Sequence, residues 1–101
     1  MRNFAKTIIL YIMATIRDLK KDINYVLGDI IEAVYIWEYA NKDKDNKKSE
    51  AIIDEAIATF DELIAKVNEK NIEDKKAHFN GIKNELEKRG RALIDKVNKL
   101  S

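Results

Sequence analysis

The chain is predicted to be all-α, an up-down four-helix bundle forming a single domain over residues 1–101. Three observations carry that expectation. Ten positions at alternating spacings of three and four, from Ile9, Ile12, Ile16, Leu19 and Ile23 to Val26, Ile30, Ala33, Trp37 and Ala40, are apolar without exception, and such a set lies along one side of an α-helix. There is no proline, and glycine occurs only as Gly28, Gly81 and Gly90, which removes most of the punctuation that strands and hairpins require. Finally, Asn41 to Lys48 (NKDKDNKK) has no apolar member and separates the first stripe from two later ones.

Within residues 2–41 the stripe alone permits one helix or two. Unbroken, this segment would be about 60 Å long at about 1.5 Å per residue, and the shorter helices that follow would leave residues 4–16 bare. Those residues include Phe4, Ile8, Ile9, Leu10, Tyr11, Ile12, Met13 and Ile16, an apolar patch seldom left uncovered. A break near Lys20 to Asn24 (KKDIN) gives four helices of comparable length with every apolar face turned inward. Alternatively the turn lies nearer Gly28, where Asp29 and Glu32 have the spacing of a capping box. The remaining possibility is three helices with one very long first helix. That form is favoured by the unbroken phase of the stripe and would make Gly28 a mid-helix glycine where two helices touch.

After the polar loop, Ser49 is the expected N-cap of a helix over 49–70 whose stripe is Ile53, Ile57, Phe60, Ile64 and Val67. Continuing that phase would bring Asn71, Asp74 and His78 into the core, so the helix must stop. Asn71 and Asp74 have the form of a capping pair, and a last helix over 72–100 carries Phe79, Ile82, Leu86, Leu93, Val97 and Leu100.

The 101 residues suit one modest core. With 19 basic and 18 acidic side chains the net charge is +1, so no overall field drives the chain onto nucleic acid or membrane. Absence of cysteine excludes disulfides and thiolate chemistry and is compatible with a cytoplasmic location. Residues 7–16 are apolar like the core of a signal peptide, but no small-x-small cleavage site follows. The run is about half of the roughly 20 residues a membrane-spanning helix needs, and no membrane span is expected.

A catalytic role is not expected, nor a metal, a cofactor or a small-molecule substrate. His78 is the only histidine, which leaves no triad or multi-histidine site within one chain, and it reads as a solvated helix residue. A di-iron bundle needs Glu-x-x-His pairs, whereas Lys75 stands three places before His78. Gly81 and Gly90 read as points of close helix approach rather than a phosphate cradle.

Charge placement says more than its sum. Segment 49–71 holds six acids and two lysines, net −4, while 72–101 holds eight bases and five acids, net +3, and the 41–48 loop adds +2. Lys83, Lys88, Arg89, Arg91 and Lys96 on the last helix, with Lys20 and Lys21 near the expected turn, form a candidate phosphate-contacting surface. Against this, Glu85–Arg89 and Glu87–Arg91 are favourable i,i+4 pairs that engage both arginines. Residues 8–13 and 34–37 are apolar on all sides, more than one core face consumes, and Ile8, Ile9, Tyr35, Ile36 and Trp37 are the candidate interface of a homo-oligomer. No role can be read for the aromatic character of Tyr11, Tyr25, Tyr35 and Tyr39.

Residues 12–29 (IMATIRDLKKDINYVLGD) resemble the accessory variability determinants of diversity-generating retroelements, small four-helix-bundle proteins. In these an apolar helix ends in a short basic turn, and an aromatic residue then leads into Leu-Gly-Asp, as do Tyr25, Leu27, Gly28 and Asp29 here. Phe79 with Gly90-Arg91 resembles their aromatic-bearing last helix. The chain differs in lacking a proline at the first turn and in being nearly neutral. The resemblance implies a ring-like homo-oligomer that binds a reverse transcriptase and its template RNA without chemistry of its own. A protein-interaction module of the immunity or antitoxin type, without RNA or DNA, is the alternative.

Overall fold

The structure is a computed structural model describing residues 2–100, with side chains from Leu10 to Leu100. It has three helices, α1 (Arg2–Ala40), α2 (Lys47–Val67) and α3 (Lys75–Asn98), each packed on both others. The all-α expectation holds, and the four-helix bundle does not: α1 runs unbroken for 39 residues, the three-helix alternative. At Lys20–Asn24 the reason is visible in Ile23, which is completely buried and in phase with Leu19 and Leu27. A turn there would remove a central core residue, and none of the five residues in KKDIN breaks a helix. Gly28 does not turn the chain either, and no helix touches it. It lies in mid-helix with nothing within 4 Å of the position a Cβ would take.

The core is built from Leu19, Ile23, Leu27, Ile30 and Val34 of α1 against Ile52, Ile53, Ala56, Leu63 and Val67 of α2 and Phe79, Ile82, Leu86 and Leu93 of α3. In α1 the buried row departs from the expected stripe: Leu27 and Val34 replace Val26 and Ala33, and Ala33 and Ala40 are exposed. A strict alternation of three and four drifts by about 20° per heptad on a straight helix, so the buried row takes the four-residue step more often. In α2 the core face likewise falls on Ile52, Ala56, Thr59 and Leu63 rather than Ile57, which is exposed. Thr59 can be buried because its hydroxyl donates to the Glu55 carbonyl at 2.7 Å. The α3 row agrees with expectation, with Gly90 filling the gap between Leu86 and Leu93. A Cβ there would come within 3.2 Å of Val26 Cγ1, so Gly90 is a close-approach glycine. Gly81, exposed and with open space around it, is not.

The helix ends also differ from their expected places. The N-cap of α2 is Asn46, not Ser49, and Asp45 Oδ1 accepts from the Lys47 N–H at 3.0 Å. Ser49 is instead buried, and its hydroxyl lies 2.6 Å from Glu38 Oε2 and 2.9 Å from the Asn46 carbonyl, tying the first turn of α2 to the last turns of α1. Helix α2 ends at Val67, and α3 begins at Lys75 with Asp74 as its cap, accepting from the Ala77 N–H at 3.1 Å. Between them Asn71 adopts φ 64°, the left-handed region that asparagine tolerates better than most residues.

Helix lengths decide the shape. At about 1.5 Å per residue, α1 is nearly 60 Å long against about 32 Å for α2 and about 36 Å for α3. The two short helices sit beside the C-terminal part of α1, and the molecule measures 65 × 19 × 17 Å. Ile12 and Ile16 still pack against the edge of the core, whereas Leu10, Tyr11 and Met13 are exposed.

Two substitutions test this description by chemical denaturation followed by circular dichroism. Ile23→Ala should destabilise the fold by about 2–5 kcal/mol, since it empties a fully packed position. Gly81→Ala should stabilise it by up to about 1 kcal/mol, because the helix gains propensity and the new methyl meets nothing.

Candidate interaction surfaces

Three charged residues of α3, Glu85, Arg89 and Lys96, pair with α2, while the others are exposed. Lys66 Nζ lies 2.6 Å from Glu85 Oε2, Arg89 Nη1 lies 2.6 Å from Glu62 Oε2 and 3.2 Å from Glu85 Oε1, and Lys96 pairs with Glu55. The acidic α2 and the basic α3 are therefore neighbours whose opposite charges meet along one seam. The Glu85 carboxyl is held below its ordinary pKa, first by the hydrogen bond from Lys66, with Arg89 adding to the effect and partial burial opposing it. The Arg89 guanidinium is held above its ordinary value, first by its hydrogen bond to Glu62.

Of the candidate phosphate-contacting residues, Arg89 and Lys96 are thus held by α2, and Arg91 is paired with Glu87 at 2.6 Å on the exposed side of α3. Lys20 is half-buried, and the Lys21 ammonium lies 5.8 Å from the centre of the Tyr25 ring. Lys83 lines an open groove between α1 and α3 with Asp22, Tyr25, Glu87 and Ile94. Lys88 is exposed on the far side of α3, beside Arg91 and Asp95. The structure does not gather the seven into one basic patch, because Glu85, Glu87 and Asp95 of α3 and Asp22 of α1 are interleaved among them.

His78 is half-buried rather than solvated, with Nε2 at 2.7 Å from the Lys66 carbonyl, where it satisfies an end group of α2. Among the described residues there is no cluster of acids and histidine able to hold a metal ion, and no helix is long and apolar enough to cross a membrane.

The apolar candidates separate as well. Ile8 and Ile9 lie outside the residues whose side chains are described. Trp37 is half-buried where the end of α1 meets Lys48 and Leu100. Tyr35 and Ile36 are exposed, at 55% and 62%. Among the described residues, seven of the nine large apolar side chains left exposed belong to α1: Leu10, Tyr11, Met13, Tyr25, Tyr35, Ile36 and Tyr39. All four tyrosines are in this set, Tyr25 at the edge of the groove between α1 and α3 and the others on exposed positions of α1. A second row of three-four spacings, opposite the core row, was the signal available in the sequence.

No protein-family model, curated protein or solved structure matches this chain.

Replacing Glu85 with Gln should lower stability by about 0.5–1 kcal/mol at neutral pH. A depressed carboxylate contributes its full share above its unfolded pKa near 4.3 and loses it as pH falls through the lower folded value. The gap between parent and variant in urea denaturation should therefore be constant from neutral pH to about 5 and close in stronger acid. An unchanged gap at the acid end would show that Glu85 acts by packing alone.

Proposed function

We propose that this chain is a non-catalytic accessory of the cytoplasm, a helical interaction module that self-associates and holds a protein partner, using neither cofactor nor small-molecule substrate. One observation carries this reading: α1 is far longer than the helices that cover it and keeps a row of exposed tyrosines and aliphatics on its outer side. Exposed apolar rows of this extent mark sites where another protein binds. The lone histidine, engaged by a backbone carbonyl, supports a role without histidine-centred chemistry.

A second reading adds RNA or DNA, with a reverse transcriptase as the protein partner, as the likeness of residues 12–29 to the retroelement accessory proteins implies. Its support is that Lys83 and Lys88 are exposed and make no ion pair among the described residues. Interleaved acids and the engaged Arg89 and Lys96 favour the protein-binding reading over this one.

Light scattering on a sizing column gives the absolute mass at two salt concentrations. A multiple of 11.7 kDa that survives high salt is expected, and a monomer throughout would overturn self-association. For nucleic acid, fluorescence anisotropy with a labelled single-stranded RNA separates the readings. A phosphate surface must lose affinity steeply with salt and again on Lys83→Glu with Lys88→Glu. Affinity that responds to neither removes the RNA reading.

A further inference from the structure

The outer side of α1 carries a second three-four repeat through residues 11, 14, 18, 21, 25, 28, 32, 35 and 39, and only Tyr25 among these borders the groove that α1 forms with α3. We infer that this face is the seam of an antiparallel homodimer in which α1 of one chain lies along α1 of a second copy, centred between Val26 and Leu27. The inference rests on the self-association reading above and gives it a register.

Complementarity between the face and its own reverse singles out this arrangement. In an antiparallel coiled coil the two kinds of seam position meet in the same layer, and the central register pairs residue 25 with 28, 21 with 32, 18 with 35 and 14 with 39. Tyr25 then comes opposite Gly28, the one position in the seam without a side chain, and open to 4 Å in the isolated chain. Lys21 comes opposite Glu32, and neither has an ion-pair partner within its own chain among the described residues. Tyr39 comes opposite the small Ala14, and the Tyr35 hydroxyl can donate to the Asp18 carboxylate. Tyr25 and Tyr39 each meet a small residue, Tyr35 meets a carboxylate it can bond and the seam lysine meets an acid, twice over by symmetry. A parallel pairing would set Lys21 against Lys21 and Glu32 against Glu32, which costs energy in each layer.

At the rims, Asp22 approaches Asp29 on one side at some cost, and on the other Arg17 comes near Glu38, whose carboxylate is already bonded to Ser49, so the seam layers decide the register. From residue 14 to 39 the contact would run about 38 Å, more than three heptads. An isologous contact of this kind is self-closing, so it yields a dimer rather than a filament.

The test is a charge swap read as absolute mass by light scattering, with helicity measured alongside. Lys21→Glu should shift the protein from dimer toward monomer, with at least a tenfold weaker association at unchanged helicity, and Glu32→Lys should do the same. The chain carrying both substitutions should regain the dimer, since the pair is restored with its signs exchanged. Gly28→Leu, harmless to a lone chain with open space there, should also abolish the dimer by obstructing Tyr25. If the parent is oligomeric but neither single swap nor Gly28→Leu alters its mass, the register is overturned while self-association stands. A parent monomeric at all concentrations overturns both.

Discussion

An uninterrupted α1 is the constraint from which the rest of the structure follows. Because Ile23 must stay in the core, the chain cannot turn near its first quarter, and the apolar residues before it remain on the same helix axis. The later helices are too short to match that axis, so they gather at one part of it and form a compact three-helix unit there. Each short helix settles in the angle between the other two, which widens its buried face. That explains why the α2 core includes Ala56 and Thr59, residues too small or too polar to stand out in a hydrophobic stripe.

Electrostatics divides the labour between the two short helices and the long one. The seam between α2 and α3 is laced by Lys66, Glu85, Arg89, Glu62, Lys96 and Glu55, partly exposed groups whose individual contributions are small but which together set how the two helices face each other. Helix α1 takes no part in that seam, and its solvent face carries all four tyrosines alongside exposed charges of both signs.

How much of this could be read beforehand differs by element. The helical class, the polar loop after residue 40 and the α3 core row follow from periodicity and composition, and Phe79, Ile82, Leu86 and Leu93 lie where spacing puts them. Helix number departs from expectation because the in-phase, fully buried Ile23 holds α1 continuous even though Leu10, Tyr11 and Met13 stay exposed. Ser49 shows a different limit: serine ahead of an apolar run has the form of a cap, but its bond to Glu38 is made across eleven residues and only the tertiary fold reveals it. Likewise the i,i+4 pairing of Glu85 with Arg89 was legible, whereas the links to Glu62 and Lys66 needed the packing of α2. The tyrosines can be counted in the sequence, but their alignment as a second row is masked by the stronger core row that occupies the same stretch of chain.

The mismatch in helix length also governs how the molecule moves. A compact chain of about 100 residues has a radius of gyration near 13 Å, whereas this one has 17.1 Å and an outline more than three times longer than it is wide. It tumbles as a short rod, slowly end over end and quickly about its own axis. Its hydrodynamic volume therefore exceeds that of a globule of equal mass, and a single copy emerges from a gel-filtration matrix ahead of calibrants of its own weight.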